Sequence, residues 1–152
     1  GVLLIVAAAS LFGWVLTTTR VTEYTTEALL AYTNNRYVIL LLINVLLLVI
    51  GCFLEPIASI SILVPVLMPV ILKVGIDPVH FGVMMTLNLM IGLLHPPLGM
   101  VLFVLSRIAK LSIERTTMAI LPWLIPLLMS LIAITLIPEL TLWLPRQFGM
   151  LK

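Results

Sequence analysis

Long apolar runs separated by short polar breaks set the rhythm of this chain. The first, 1–19, is interrupted only by Ser10 and Gly13 and closes on three threonines. It approaches the roughly 20 residues with which a helix crosses a bilayer, and predicts one spanning helix. Over 20–36 the composition changes to Thr, Glu, Tyr and Asn, with Val21, Tyr24, Ala28, Leu29 and Tyr32 at helical spacing. That pattern predicts an interfacial amphipathic connector. The next run, 37–72, is longer than one crossing requires, yet Gly51, Glu55 and Pro56 break it near its middle. Each half is at or below the length of a spanning helix, and no polar loop separates the two. A re-entrant hairpin with its tip inside the membrane is predicted.

The segment 73–108 opens with a polar turn in which Asp77 stands ready to cap the helix that Pro78 starts. The apolar helix that follows carries Gly92, Pro96, Pro97 and Gly99 near its centre. Paired prolines remove two backbone donors and disfavour helical geometry at His95, so a discontinuous transmembrane helix is predicted. The loop 109–115 and the turn before it hold Arg107, Lys110 and Arg115 against Glu114 alone. Such a basic loop belongs on the cytoplasmic side. A last spanning helix over 116–144, with Pro122, Pro126 and Pro138 inside it, then leaves the C-terminus on the outer face. In this orientation Arg20, Arg36 and Lys73 fall on the outer side, a modest conflict with the same rule.

Composition sharpens the class. Of 152 residues, 62% are hydrophobic and 9% charged, whereas a soluble domain carries about 25% charged residues. The expected fold class is an all-α membrane protein, with lipid as a partner. A formal charge of +2 is too small and scattered for a nucleic-acid surface. The single cysteine, Cys52, has no second Cys to pair with. Hydrolase and phosphate-binding motifs are missing, so no enzyme is expected and no cofactor beyond a coupling ion. The beginning at Gly1, without initiator Met or a basic leader, reads as a segment of a longer membrane protein.

A hairpin tip and a helix break both strip carbonyl and N–H groups of intrahelical partners, which hydrocarbon tolerates only where protein or a hydrated cavity meets them. Secondary transporters place cations against such carbonyls. The tip and the break are expected to approach each other and to hold sodium. Candidate ligands are the backbone at Gly51, Gly92 and His95 and the side chains of Ser59, Ser61 and Asn88. Each has a plainer role. Glu55 either caps the second hairpin helix or binds a cation or proton. His95 is a ligand or protonation switch, or it satisfies freed carbonyls. Asn88, Ser59 and Ser61 are ligands or interhelical glue. His80 is expected at an interface, as is Trp143, and the methionines serve as core fillers.

The motifs GCFLEP at 51–56, GIDPVHFGV at 75–83 and GLLHPPLG at 92–99, with Pro65 and Pro69 between the first two, resemble the C-terminal half of the large membrane subunit of tripartite ATP-independent periplasmic (TRAP) transporters. The resemblance implies a sodium-driven elevator transporter of an organic acid, of the dicarboxylate or sialic acid class, in the bacterial inner membrane. It further implies a small membrane subunit, separate or fused, and a periplasmic binding protein. The family's ion-site regions fall on 51–61 and 88–99, adding Glu55 to the sodium candidates and Pro56, Pro96, Pro97 and Gly99 as substrate-binding candidates. The family's large subunit is far longer than this chain, so half of the substrate site is expected outside it. Two alternatives stand beside this reading: a sodium-dicarboxylate symporter that needs no binding protein, and a membrane assembly subunit without transport activity.

Overall fold

In the computed structural model, which describes residues 2–96 and 99–150, the chain is all-helical: α1 (Val2–Thr18), α2 (Val21–Tyr32), α3 (Arg36–Phe53), α4 (Pro56–Lys73), α5 (Pro78–Gly92), α6 (Met100–Ala109), α7 (Ile113–Leu136) and α8 (Glu139–Gln147). Local chemistry explains most of the boundaries. Asn35 accepts a hydrogen bond from the Tyr37 amide to start α3, Asp77 from Val79 to start α5, and Ser112 from Arg115 to start α7. Between α3 and α4 only Leu54 and Glu55 are extended, Glu55 because Pro56 follows it. The end of α4 is a Schellman turn: Gly75 takes a φ of 70°, its N–H bonds Leu72, and the Ile76 N–H bonds Ile71. Ile76 is buried in the same apolar cluster as Ile71, which supplies the hydrophobic contact of that motif.

α5 is the centre of the bundle. It packs on α3, α4, α7 and α8, and Phe81, Met84, Met85, Leu89 and Ile91 are all essentially inaccessible. Pro78 and Val79 in its first turn and the stripe Gly82, Val83, Thr86 and Met90 stay open. α3 runs parallel to α5, with Asn44 beside Asn88 and Gly51 beside Gly92. α4 returns on the other side, and the two arms touch each other little because α5 lies between them. α1 and α2 cover the outer face of α4. α7 travels back along α6 and α5: it packs on α6, passes His95 at Leu124 and Leu128, and reaches Asn44 at Thr135.

Among the described residues three helices, α3, α4 and α7, are long and apolar enough to cross a membrane. The hairpin arms thus exceed the sequence expectation. Each has 18 residues, about 27 Å at 1.5 Å per residue, because Arg36 and Lys73 extend the apolar runs.

Two further details differ from the pattern reading. In α2 the buried positions are Thr22 and Thr26, while Val21, Tyr24 and Tyr32 point outward and Leu29 turns toward the core. Small hydroxyl side chains let α2 approach its neighbours closely, and this outweighs the apolar stripe. The last run is divided, for α7 ends at Leu136 and the chain turns at Ile137 and Pro138 into α8. Pro138 has no N–H with which to continue the ladder.

Candidate functional site: the hairpin tip and the helix break

Gly51, in the last turn of α3, and Gly92, at the end of α5, meet backbone to backbone. A methyl group on Gly92 would stand 2.8 Å from the Cα of Gly51, and one on Gly51 would stand 3.2 Å from the Cα of Gly92. Only two glycines permit that approach. One residue on, the Cys52 thiol donates to the Leu48 carbonyl at 3.2 Å and lies 3.6 Å from Nδ1 of His95. His95 follows the end of α5, half-buried, with Nδ1 also facing the Pro96 carbonyl. Beyond it the chain folds tightly: the Gly99 amide donates to the His95 carbonyl and the Val101 amide to that of Leu93. A side chain on Gly99 would press into those same two carbonyls.

The sequence candidates are therefore brought together in part. Gly51, Gly92, His95 and Pro96 lie at the contact between tip and break, and Gly99 folds back on Leu93 and His95; Pro97 lies outside the described residues. Glu55 and Pro56 face Leu93 and the first turns of α6 across a groove of about 370 Å³. Glu55 occupies the N-cap position of α4, but its carboxylate makes no capping bond. Ser59 is fully buried and donates to the Glu55 carbonyl at 3.0 Å. Ser61 donates to Ile57 at 2.8 Å, and its own carbonyl faces Gly13 of α1. Both hydroxyls keep lone pairs free, since a proton donated along the helix leaves the oxygen able to accept.

Asn88 is the most constrained of the set. Fully buried, its Nδ2 donates to the carbonyl of Asn44 at 3.0 Å and to Asn44 Oδ1 at 2.6 Å. Asn44 Nδ2 donates in turn to Thr135 Oγ1 at 2.8 Å, and Thr135 to the Leu131 carbonyl at 2.7 Å. Asn88 Oδ1 is buried without a partner. An unmet acceptor inside an apolar bundle costs about 1–3 kcal/mol, and it calls for an explanation, as do the likewise unpartnered Thr22 Oγ1 and His80 Nε2.

Sequence reasoning missed Asn44 and Thr135. A lone Asn within the apolar run of α3 was the available signal; nothing local pointed to Thr135. His80 is buried, 2% exposed, with Nδ1 2.9 Å from Thr141 Oγ1 of α8. It lines a separate cavity of about 530 Å³ at the opposite end of α5, among Arg36, Asp77, Glu139 and Arg146. Among the described residues no three His, Cys, Asp or Glu side chains gather as a metal site. The oxygen atoms on offer are backbone carbonyls, the Ser59 and Ser61 hydroxyls, the Asn88 amide and the Glu55 carboxylate, all hard donors.

An all-helical bundle that carries, among the described residues, three helices long and apolar enough to cross a membrane fits an all-α membrane protein. Comparison with known proteins makes the family specific. Residues 1–140 match the family described as "Tripartite ATP-independent periplasmic transporter, DctM component", and the chain belongs to it. It is 45% identical over 97% of its length to the sialic acid TRAP transporter large permease protein SiaM of Vibrio cholerae. It is 41% identical over 96% of its length to the C4-dicarboxylate large permease protein DctM of Pseudomonas aeruginosa. To the isethionate permease DctMQ of Oleidesulfovibrio alaskensis it is 42% identical over 93% of its length. The chain spans 34% of the first two relatives and 22% of the third. These relatives are permeases, and the chain is a large-permease segment rather than an enzyme.

Proposed function

We propose that this segment supplies one half of a sodium-coupled organic-acid transporter of the bacterial inner membrane. In this reading α3 and α4 form a re-entrant hairpin and α5 and α6 a discontinuous helix, carried together by an elevator movement between the two faces. Sodium binds among Gly51, Glu55, Ser59, Ser61, Asn88, Gly92 and His95, and the organic acid contacts Pro56, Pro96, Pro97 and Gly99. The loop at 109–115 is cytoplasmic and the C-terminus periplasmic. A small membrane subunit and a periplasmic binding protein complete the machine, the latter delivering the substrate. The relatives act on sialic acid, C4-dicarboxylates and isethionate, which makes an anionic organic acid the substrate class to test.

The observation that carries this reading is the unpartnered Asn88 Oδ1 on the helix whose last residue, Gly92, touches Gly51. A buried acceptor without a donor is a place where a desolvated cation gains. The test is uptake by the complete transporter in proteoliposomes, with sialic acid and succinate as probes. Uptake requiring both an inward sodium gradient and a binding protein supports the reading. Uptake independent of sodium removes the coupling, and uptake without a binding protein favours the symporter alternative.

A further inference from the structure

Three buried polar side chains from three helices form a directed relay, and the direction is set from one end. Thr135 gives its only hydroxyl proton to the Leu131 carbonyl, so toward Asn44 its oxygen can only accept. Asn44 must therefore turn its NH2 to Thr135 and its Oδ1 to Asn88. The backbone carbonyl of Asn44 also faces Asn88 and can only accept. Asn88 thus meets two acceptors and must present its NH2 to both, which leaves Oδ1 aimed the other way, fully buried and without a donor. Reversing the Asn88 amide would set its oxygen against two acceptor oxygens and strand two N–H groups.

We infer that Thr135 and Asn44 are positioning residues which lock the Asn88 amide so that its oxygen, not its nitrogen, faces the coupling cation. The inference rests on the sodium reading above and adds what that reading lacks: the reason an asparagine, ambiguous by chemistry, acts here as an acceptor only. The relay ties α7 and α3 to α5, so the ligand's orientation depends on the register of three helices. Simple interhelical glue makes a different prediction. It would support folding without affecting the affinity for sodium.

The test compares Thr135→Val, Thr135→Ser and Asn44→Ala in the complete transporter, reading the sodium concentration for half-maximal uptake, the substrate KM at saturating sodium, and Tm in sodium-free buffer. Thr135→Val deletes the acceptor at almost constant volume; the half-maximal sodium concentration should rise about fivefold, the worth of one neutral hydrogen bond. KM at saturating sodium should stay within a factor of two. Thr135→Ser restores the oxygen and should restore the sodium affinity. In an Asn88→Ala background, Thr135→Val should add nothing further, because the relay acts through Asn88. If Thr135→Val or Asn44→Ala lowers Tm but leaves sodium affinity unchanged, or if the effects of Thr135→Val and Asn88→Ala simply add, the relay is structural and the inference falls. Should Thr135→Val not fold, Asn44→Ala carries the same readout. A wild-type transporter that ignores sodium overturns the coupling reading itself, a result distinguishable from sodium-dependent uptake that ignores the relay.

Discussion

At Gly92 a single hydrogen atom decides whether two helices meet. Replacing it by methyl puts carbon 2.8 Å from the backbone of Gly51, where no flexible side chain can yield. Gly92→Ala should therefore cost about 1–3 kcal/mol, as overpacking does elsewhere, and lower the Tm of the purified subunit. A methyl group on Gly82, in the same helix, would meet nothing within 4 Å. There Ala removes backbone freedom from the unfolded chain, and Gly82→Ala should be neutral or stabilising by about 0.5–1 kcal/mol. Thermal melts of the two variants side by side separate close packing from helix propensity. Both glycines look alike in the sequence; only their neighbours differ. The candidate ligands show the same contrast. Gly51, Glu55, Asn88 and His95 were visible as oddities in apolar runs, whereas Thr135 is one hydroxyl among many until the fold sets Asn44 2.8 Å away.

Helix ends in this chain follow short-range chemistry, and their strength can be tested one at a time. The Asp77 carboxylate accepts from Val79 N–H at 2.8 Å and starts α5, the helix on which four others pack. Asp77→Ala should cost about 1 kcal/mol and Asp77→Asn much less, since the amide oxygen can cap as well. The ion pair on α8 is the opposite case. Arg146 and Glu139 are 2.6 Å apart, but their side chains are 53% and 61% exposed. Arg146→Met should change the melting temperature little, because exposed pairs contribute about 0–1 kcal/mol. The turn at Leu54 and Glu55, the Schellman end of α4 and the break after Gly92 were all readable from Pro, Gly and Asp within a few residues. The inward face of α2 was not. Its apolar stripe pointed to one surface and its threonines packed another, a choice that depends on how closely α4 can approach rather than on α2 alone.

For the molecule as a whole, orientation in the bilayer is the property to test first. In a Cys52→Ala background, Ser112→Cys should react with a membrane-impermeant maleimide only from the cytoplasmic side, and Gln147→Cys only from the periplasmic side. Labelling of both from one face would mean that α7 does not cross and that the proposed topology is wrong. Both positions are exposed, so reactivity reports sidedness rather than burial.

Some of this protein was written in the order of its residues. Apolar runs, paired prolines, capping side chains and glycines act over one to four neighbours, and they set the all-helical class, most helix ends, the two-residue tip and the central break. The family, too, was legible in three short motifs. Tertiary structure alone decided that α5 lies between the hairpin arms, that Gly51 meets Gly92, that His80 is buried against α8, and that Thr135 and Asn44 orient Asn88. These depend on residues between 41 and 91 positions apart, as the Asn44–Thr135 separation of 91 and the Gly51–Gly92 contact illustrate. No local pattern encodes such meetings, because which faces touch is set by the packing of all the helices at once.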